Sequence, residues 1–451
     1  MFQYKKYFLI IIMIFNSTVY SQQVNEFKFL RYNDVVSIDS TNQSFYYKIK
    51  QITLSKKSKA FLFFGAENRT QYQLFKNENW DESYKDNGFI LNRALFYANL
   101  KIGTSFRLFG QLQSSSSIGR IEPNPLEENP LDLHQLFVDF KVKNLNFRMG
   151  RQELYYGSQR LISVREGPNN RQAFDAIKIN YQKRNLAVDS FYSFYVKNQF
   201  GNFNDKMDSN IKFYGLYASL NQVKYLNNIE IYFLNIQKTE STYNTLSGQE
   251  NRKTIGSRIW GKYFNWNYDI EAACQFGKFG TKKINAWTFS IHNYFIYNIH
   301  KTRQKIGLKA EYISGDKNRN DNSLETFNPL FPRGAYFGLA ALIGPSNLID
   351  VHPFLEFQLT QKLNFNIDYD MFWRASINDA IYQPNVSILF NSSNSTSRKI
   401  GNQLGASFDY SFNKYLNLTV EGTWFQSGNF IKDVSNGKDI FFTATTLTLV
   451  L

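Results

Sequence analysis

The chain has 451 residues, 43% of them hydrophobic, with 52 Lys+Arg against 37 Asp+Glu and a formal charge of +15. A mean hydropathy of -0.41, with no long apolar stretch past the N-terminus, excludes a helical membrane protein, and a single cysteine excludes a disulfide framework. Aromatic residues reach 17%, with 29 Tyr and 43 Phe; these side chains suit a pleated surface, so an all-β chain is expected.

The first element is MFQYKKYFLIIIMIFNSTVYSQQ. Lys5 and Lys6, a short apolar core from Tyr7 to Phe15, and Val19 and Ser21 at small-residue positions read as a secretory signal peptide over 1–21. The core falls short of the roughly 20 residues a membrane helix needs. Export leaves an acidic membrane surface or an anionic solute as partners for the positive charge, and nucleic acid is not expected. Residues 22–57 show no periodic pattern and read as a periplasmic extension.

Residues 58–451 read as a transmembrane antiparallel β-barrel. Segments of about 10 to 13 residues alternate apolar with polar, which fits the roughly 9 to 11 needed to cross a bilayer at a tilt rather than the 5 or 6 usual in soluble sheets. Eighteen strands are expected, starting near Lys59, Ile90, Thr104, Leu131, Leu145, Gln172, Asn185, Asn210, Asn228, Arg252, Trp266, Lys283, Arg303, Val351, Lys362, Lys399, Tyr415 and Asp439. An even number suits a single-chain bacterial barrel with short periplasmic turns and long extracellular loops. Long connections are expected at 77–87, 114–130, 154–171, 201–209, 239–251, 315–350, 375–398 and 428–438. AYFGLAALIG, 335–344, is apolar enough for a nineteenth strand, but evenness assigns it to the loop around it.

Strand parity selects lumen-facing charges, because a charge on the lipid face costs about 2 to 4 kcal/mol at the midplane. Arg107 opposes Phe106 and Leu108, Arg148 opposes Phe147 and Met149, and Asp139 and Lys141 oppose Val138 and Phe140. Arg93, Lys309, Asp368, Asp370 and Arg374 take the polar face likewise. Between two strands, GRQELYYGSQRLISVREGPNNRQAFD (150–175) places Arg151, Arg160, Arg165 and Arg171 in a turn-rich run without lysine. Guanidinium matches a carboxylate bidentately and stays charged, so the run suits an anionic solute if its loop folds inward.

No cofactor or metal is expected. DKNRNDN (316–322) alternates oxygen ligands but lacks the turn glycine and closing glutamate of a calcium loop. His134, His292, His300 and His352 stand in no nucleophile or metal motif, so no enzymatic activity is expected.

Several blocks in order carry a family resemblance: LHQLFVDF, GRQELYYGSQRL, VREGPNNRQAFDA, SGDKNRNDNSLETFNPLFPRGAYFG, SNLIDVHPFLEF, FWR followed by NDAIY, and GNF before a closing strand. From about Phe27 to Leu451 the chain resembles the alginate export family of outer-membrane barrels. The resemblance implies a monomeric eighteen-stranded barrel with an arginine-rich pore for an anionic polyuronate such as alginate, supplied where a periplasmic export machinery exists. It favours the inward fold of the arginine loop and adds Arg333 of FPRGAYF and Arg374 of FWR as path residues. Ala176, Ala380 and Leu451 depart from the family's usual residues and leave the pore shape open. A porin for small anions or sugars, including uptake, is the alternative reading, and a plugged surface adhesin is a third.

Overall fold

The computed structural model describes residues 27–34, 45–83, 87–392 and 395–451. The expected signal peptide, 1–21, lies outside the described residues. Residues 27–34 hold one 3-10 turn, Arg31–Asn33, beside which the Lys28 amide donates to Asp34 Oδ1 at 2.6 Å.

Gln43–Leu451 contains a closed antiparallel barrel. Its strands are β1 Ala60–Lys76, β2 Asn87–Ile102, β3 Phe106–Ile118, β4 Asn129–Val142, β5 Leu145–Gln152, β6 Phe174–Lys183, β7 Leu186–Lys197, β8 Lys206–Val223 and β9 Asn227–Tyr243. They continue as β10 Leu246–Tyr263, β11 Trp266–Phe279, β12 Lys282–Ile299, β13 Thr302–Ile313, β14 Leu348–Gln358, β15 Leu363–Arg374, β16 Lys399–Ser411, β17 Leu416–Ser427 and β18 Ile440–Val450. Each pairs with its neighbours in sequence, and β1 closes on β18 from Glu67↔Val450 to Lys76↔Phe441. Each of the eighteen expected strands has a counterpart.

The alternation that defines these strands separates two environments. Phe96, Phe140, Met149, Ile177, Leu216, Ile231, Ile255 and Ile306 are exposed on the outer surface, whereas Gln71, Arg93, Gln111, Gln113, Asp139, Arg148 and Gln275 are buried inside. Apolar outside and polar inside inverts the pattern of a water-soluble protein and matches a lipid-facing barrel. At one end every connection is a turn of two to four residues, beside the exposed rings of Tyr225, Tyr263, Phe264 and Trp266; by the rule for such barrels this end is periplasmic and carries an interfacial aromatic girdle.

β1 is longer than the edge β18 can cover. β18 ends where Leu451 and Ala66 exchange backbone hydrogen bonds of 2.8 and 3.0 Å. Below that point a strand at Gln51–Ser55 pairs with Ala60–Phe63. Part of the segment expected as an unpatterned extension thus covers a sheet edge that would otherwise present unpaired backbone groups.

One expected loop is corrected. Residues 239–251 are not a long connection: β9 and β10 run on to Tyr243 and Leu246 and meet in a two-residue turn with Asn244 at φ 53. In the segment TESTYNTLSGQEN only Tyr243 and Leu246 are large hydrophobic residues, too few to show an alternation, although the backbone ladder continues. The segment 335–344 adopts turns within the loop 314–347, and Tyr336, Phe337, Ala340 and Ile343 are buried in the main apolar cluster. Its apolarity reflects packing inside the barrel rather than contact with lipid.

Candidate channel lumen

Two connections fill the upper lumen, 153–173 between β5 and β6 and 314–347 between β13 and β14. They pair with each other: Ser163 N donates to Phe331 O at 3.0 Å, Phe331 N to Leu161 O at 2.9 Å, and Arg333 N to Gln159 O at 3.2 Å. Phe331 packs against Phe174 of β6, Tyr195 of β7 and Phe213 of β8, with ring centroids 4.9, 5.7 and 5.0 Å away. The inner wall there is apolar, with Phe191, Leu234 and Ile236 also buried. An inward loop supplies the partner that makes apolar residues stable on a lumen face.

The segment GPNN anchors the first loop to the wall opposite. Arg69 of β1 donates to Glu166 O at 2.8 Å and Pro168 O at 2.9 Å. Asn169 donates to Asn92 O and Ser116 O, carbonyls of residues paired between β2 and β3, and to Glu127 O. Gln113 donates to Asn170 Oδ1 at 2.9 Å. These bonds satisfy backbone and amide groups that would otherwise be buried unpaired, so the loop is fixed in place.

Charges on the loop interlock with charges on the strands. Arg93, fully buried, lies 2.6 Å from Glu67 and 2.5 Å from Glu166; Arg171 lies 2.5 Å from Glu166 and 3.4 Å from Glu153. Glu153 also meets His134 Nε2 at 2.9 Å. The Glu166 side chain keeps 37% of its surface accessible, yet protein surrounds it at longer range. Burial pushes its carboxyl up, but Arg171, Arg93 and Arg69 outweigh burial and hold it down at about 2. Glu153 is lowered too: burial opposes ionisation, and Arg171 and His134 overcome it. On the far wall Arg160 meets Glu311 at 3.2 Å and Glu271 at 3.8 Å, with Tyr336 receiving a 2.9 Å bond from its Nε.

Nearer the periplasm, Arg107 and Arg148 share Asp139 at 3.4 and 2.7 Å, and the Arg148 guanidinium stacks 3.8 Å above the Phe137 ring. Lys141 sits exposed beside the next turn. Arg374 is fully buried, bonded to the carbonyls of Ile377, Ser395 and Ser397, and lies 4.1 Å from the Phe430 ring centroid. Asp370 accepts from Gln403 Nε2 at 3.0 Å, and Asp368 approaches His352 at 3.9 Å.

Arg151 stands apart from the others. Gly150 has φ 125, and a Cβ there would fall 2.2 Å from Leu136 O, so β5 needs a glycine at that close approach. Alternation then sets Gln152 inward and Arg151 on the outward parity of Met149 and Leu136. There it forms a bidentate pair with Asp175, its cross-strand partner, at 2.9 and 3.2 Å, under the loop 198–205 whose Asp205 carbonyl it also meets. Its placement in the sequence run does not carry it into the lumen cluster.

The residues brought inside divide into two groups. Arg93, Arg107, Arg148, Arg160 and Arg171 are each within ion-pair distance of a carboxylate. Among the described residues no carboxylate lies that close to Arg165, Arg333 or Lys309; Arg333 stacks on Tyr336 with 5.1 Å to the centroid, and Lys309 on Phe354 at 5.1 Å. Arg333 and Lys309 line a cavity of about 180 Å3 with Arg160, Arg258, His292 and Glu311. Sequence reasoning missed Arg69, Arg252 and Arg258. Arg69 shares parity with Glu67, Gln71 and Gln73 and was open to the same argument as Arg93. Arg252, fully buried and 2.5 Å from Glu250, follows the segment taken for a loop.

A closed eighteen-stranded barrel with a lipid-facing apolar surface and loops docked in a charged lumen defines an outer-membrane channel of the porin type. Residues 61–439 match the model of the alginate export family, to which the chain belongs. Among solved structures it is similar to OccK2 (OpdF) of Pseudomonas aeruginosa in complex with glucuronate, at 10% identity and a TM-score of 0.56 over 86% of this chain and 98% of that one. It is similar also to OccAB1 of Acinetobacter baumannii, at 12% identity and 0.56 over 90% and 99%, and to OccK5 (OpdH) of P. aeruginosa, at 13% and 0.57 over 86% and 98%. At such identities the likeness is one of fold. No curated protein sequence matches.

Proposed function

We propose that this channel conducts an anionic polysaccharide, an alginate-like polyuronate, passively and as a monomer. The observation that carries this reading is the group of lumen cations without a carboxylate partner, Arg165, Arg333 and Lys309. The paired arginines hold the loops against the wall. The unpaired ones supply a net positive potential, which raises the local concentration of anions. Guanidinium at two of the three positions suits carboxylates, and weak successive sites let a chain leave each one. Direction follows the gradient, with polymer delivered from the periplasm where an export machinery is present.

A porin for small anions is the second reading, favoured by the modest 180 Å3 cavity under the paired loops. In planar bilayers, wild-type protein is expected to prefer anions over cations. Arg165→Gln combined with Arg333→Gln should lower the permeability ratio severalfold, and rising salt should weaken it by screening. Current block by oligouronates and not by monomeric uronate favours the polymer; equal block by the monomer favours the small-anion porin. A cation-selective pore indifferent to both substitutions overturns both readings.

A further inference from the structure

On the inner face of β14, Asp350 and His352 are two residues apart, and Asp370 faces them from β15. One ligand atom from each lies within 4.8 Å of the other two, and all three side chains are buried. Asp350 is 1% exposed, and its Oδ1 has no hydrogen-bond partner; His352 Nε2 likewise has none, while His352 Nδ1 lies against Asp370 Oδ1. Among the described residues no lysine or arginine lies within ion-pair distance of Asp350 or Asp370. The cross-strand partner of Asp350 on β13 is Glu311, which is engaged by Arg160 and Tyr336, and Asp368 adds a further carboxylate 3.9 Å from His352. Lys309, opposite His352, directs its ammonium over the Phe354 ring.

Two buried carboxylates without a cation are among the costliest arrangements in a protein interior. A divalent ion removes that cost by supplying two positive charges and bonding the free lone pairs at once. We propose that Asp350, His352 and Asp370 form a binding site for a borderline-soft divalent cation, with zinc the best match. One imidazole and two carboxylates are ligands zinc accepts, and three protein ligands leave a fourth position open. With bonds of about 2.0 to 2.2 Å, tetrahedral ligand atoms stand roughly 3.3 to 3.6 Å apart, so small side-chain rotations draw in the wider spacings and open the close His352–Asp370 contact. Gln403 donates to Asp370 Oδ2 at 3.0 Å and to Phe337 O at 2.5 Å, which turns Oδ1 toward the histidine and ties the site to the inward loop. Such outer partners orient metal ligands. Calcium and magnesium fit less well, because both prefer all-oxygen shells with more ligands.

The site is tested on the full chain purified in detergent, stripped with chelator and then equilibrated with zinc. Elemental analysis after gel filtration should find one zinc per chain, and zinc should raise the melting midpoint. Asp350→Asn or His352→Gln should abolish both effects, Gln403→Ala should weaken binding by about 10- to 100-fold, and His292→Gln should change neither. Should the ligand variants fail to fold, X-ray absorption of the zinc-loaded wild type decides: one imidazole with oxygen neighbours is expected. Sulfur from Cys274 or several imidazoles overturns the assignment. So does a wild type that retains no zinc, or one in which calcium displaces it.

Discussion

Single residues in this lumen act through the company they keep. Glu166 faces Arg69, Arg93 and Arg171 at 3.7, 2.5 and 2.5 Å, so one carboxylate ties a loop to two strands. Its folded value of about 2 lies below the ordinary 4.5. A depressed carboxyl contributes stability that is present above the ordinary value and is lost as pH falls through the folded one. Conductance and loop protection in hydrogen exchange should therefore hold from neutral pH to about 4.5 and decay between there and about 2. In Glu166→Gln the decay should be absent and the loop unprotected at every pH. The buried Arg93–Glu67 pair differs in kind: removing one partner of such a pair typically costs about 3 to 5 kcal/mol, because the other charge stays buried alone.

At the scale of elements, the two inward loops behave as one unit with opposite pH responses at its two ends. The loop 314–347 begins at a pair of acids: the Asp316 amide donates to Asp379 Oδ2 at 2.8 Å, and burial, with Asp379 adding to it, raises the Asp316 carboxyl to about 6. A raised acid favours the folded state at low pH and penalises it once both forms ionise. Stability from this corner should be greatest below about 3.8, fall as pH rises through about 6, and stay flat beyond. Asp316→Asn should flatten that part of the melting curve against pH while leaving the Glu166 decay in place. The same pairing explains why the polar-face rule is incomplete here. Phe174, Phe213 and Phe331 meet inside the barrel, where a lumen lined only by polar groups would give the loops no apolar footing.

For the whole molecule, the bilayer acts as the solvent on one side of the sheet. Ile255 is 49% exposed on β10, while its neighbour Thr254 is fully buried inside. Ile255→Lys should destabilise the folded barrel in lipid by about 2 to 4 kcal/mol if the position lies at the midplane. Thr254→Ser should stay near neutral, since it keeps a hydroxyl in place. Urea titration of tryptophan fluorescence in bilayers measures both. Equal responses at the two positions would contradict the assignment of faces.

The alternation of NFNIDYDMFWR or KIGNQLGASFDYSF, together with the spacing of turns, was enough to read eighteen strands and the inward charges Arg93, Arg107, Asp139 and Arg148, because a period of two is a local property that each strand carries by itself. The ends of β9 and β10 escape this reading, because TESTYNTLSGQEN has water-compatible residues on both faces and so little contrast. What only the tertiary structure decided is which charges meet. Arg151 left the lumen because β5 continues through it with outward parity, Glu166 and Arg93 met across 73 residues of chain, and Asp350, His352 and Asp370 converged from two strands. Ion pairing and ligand geometry depend on distances across the barrel, and those are set by closure and loop docking rather than by any stretch of sequence.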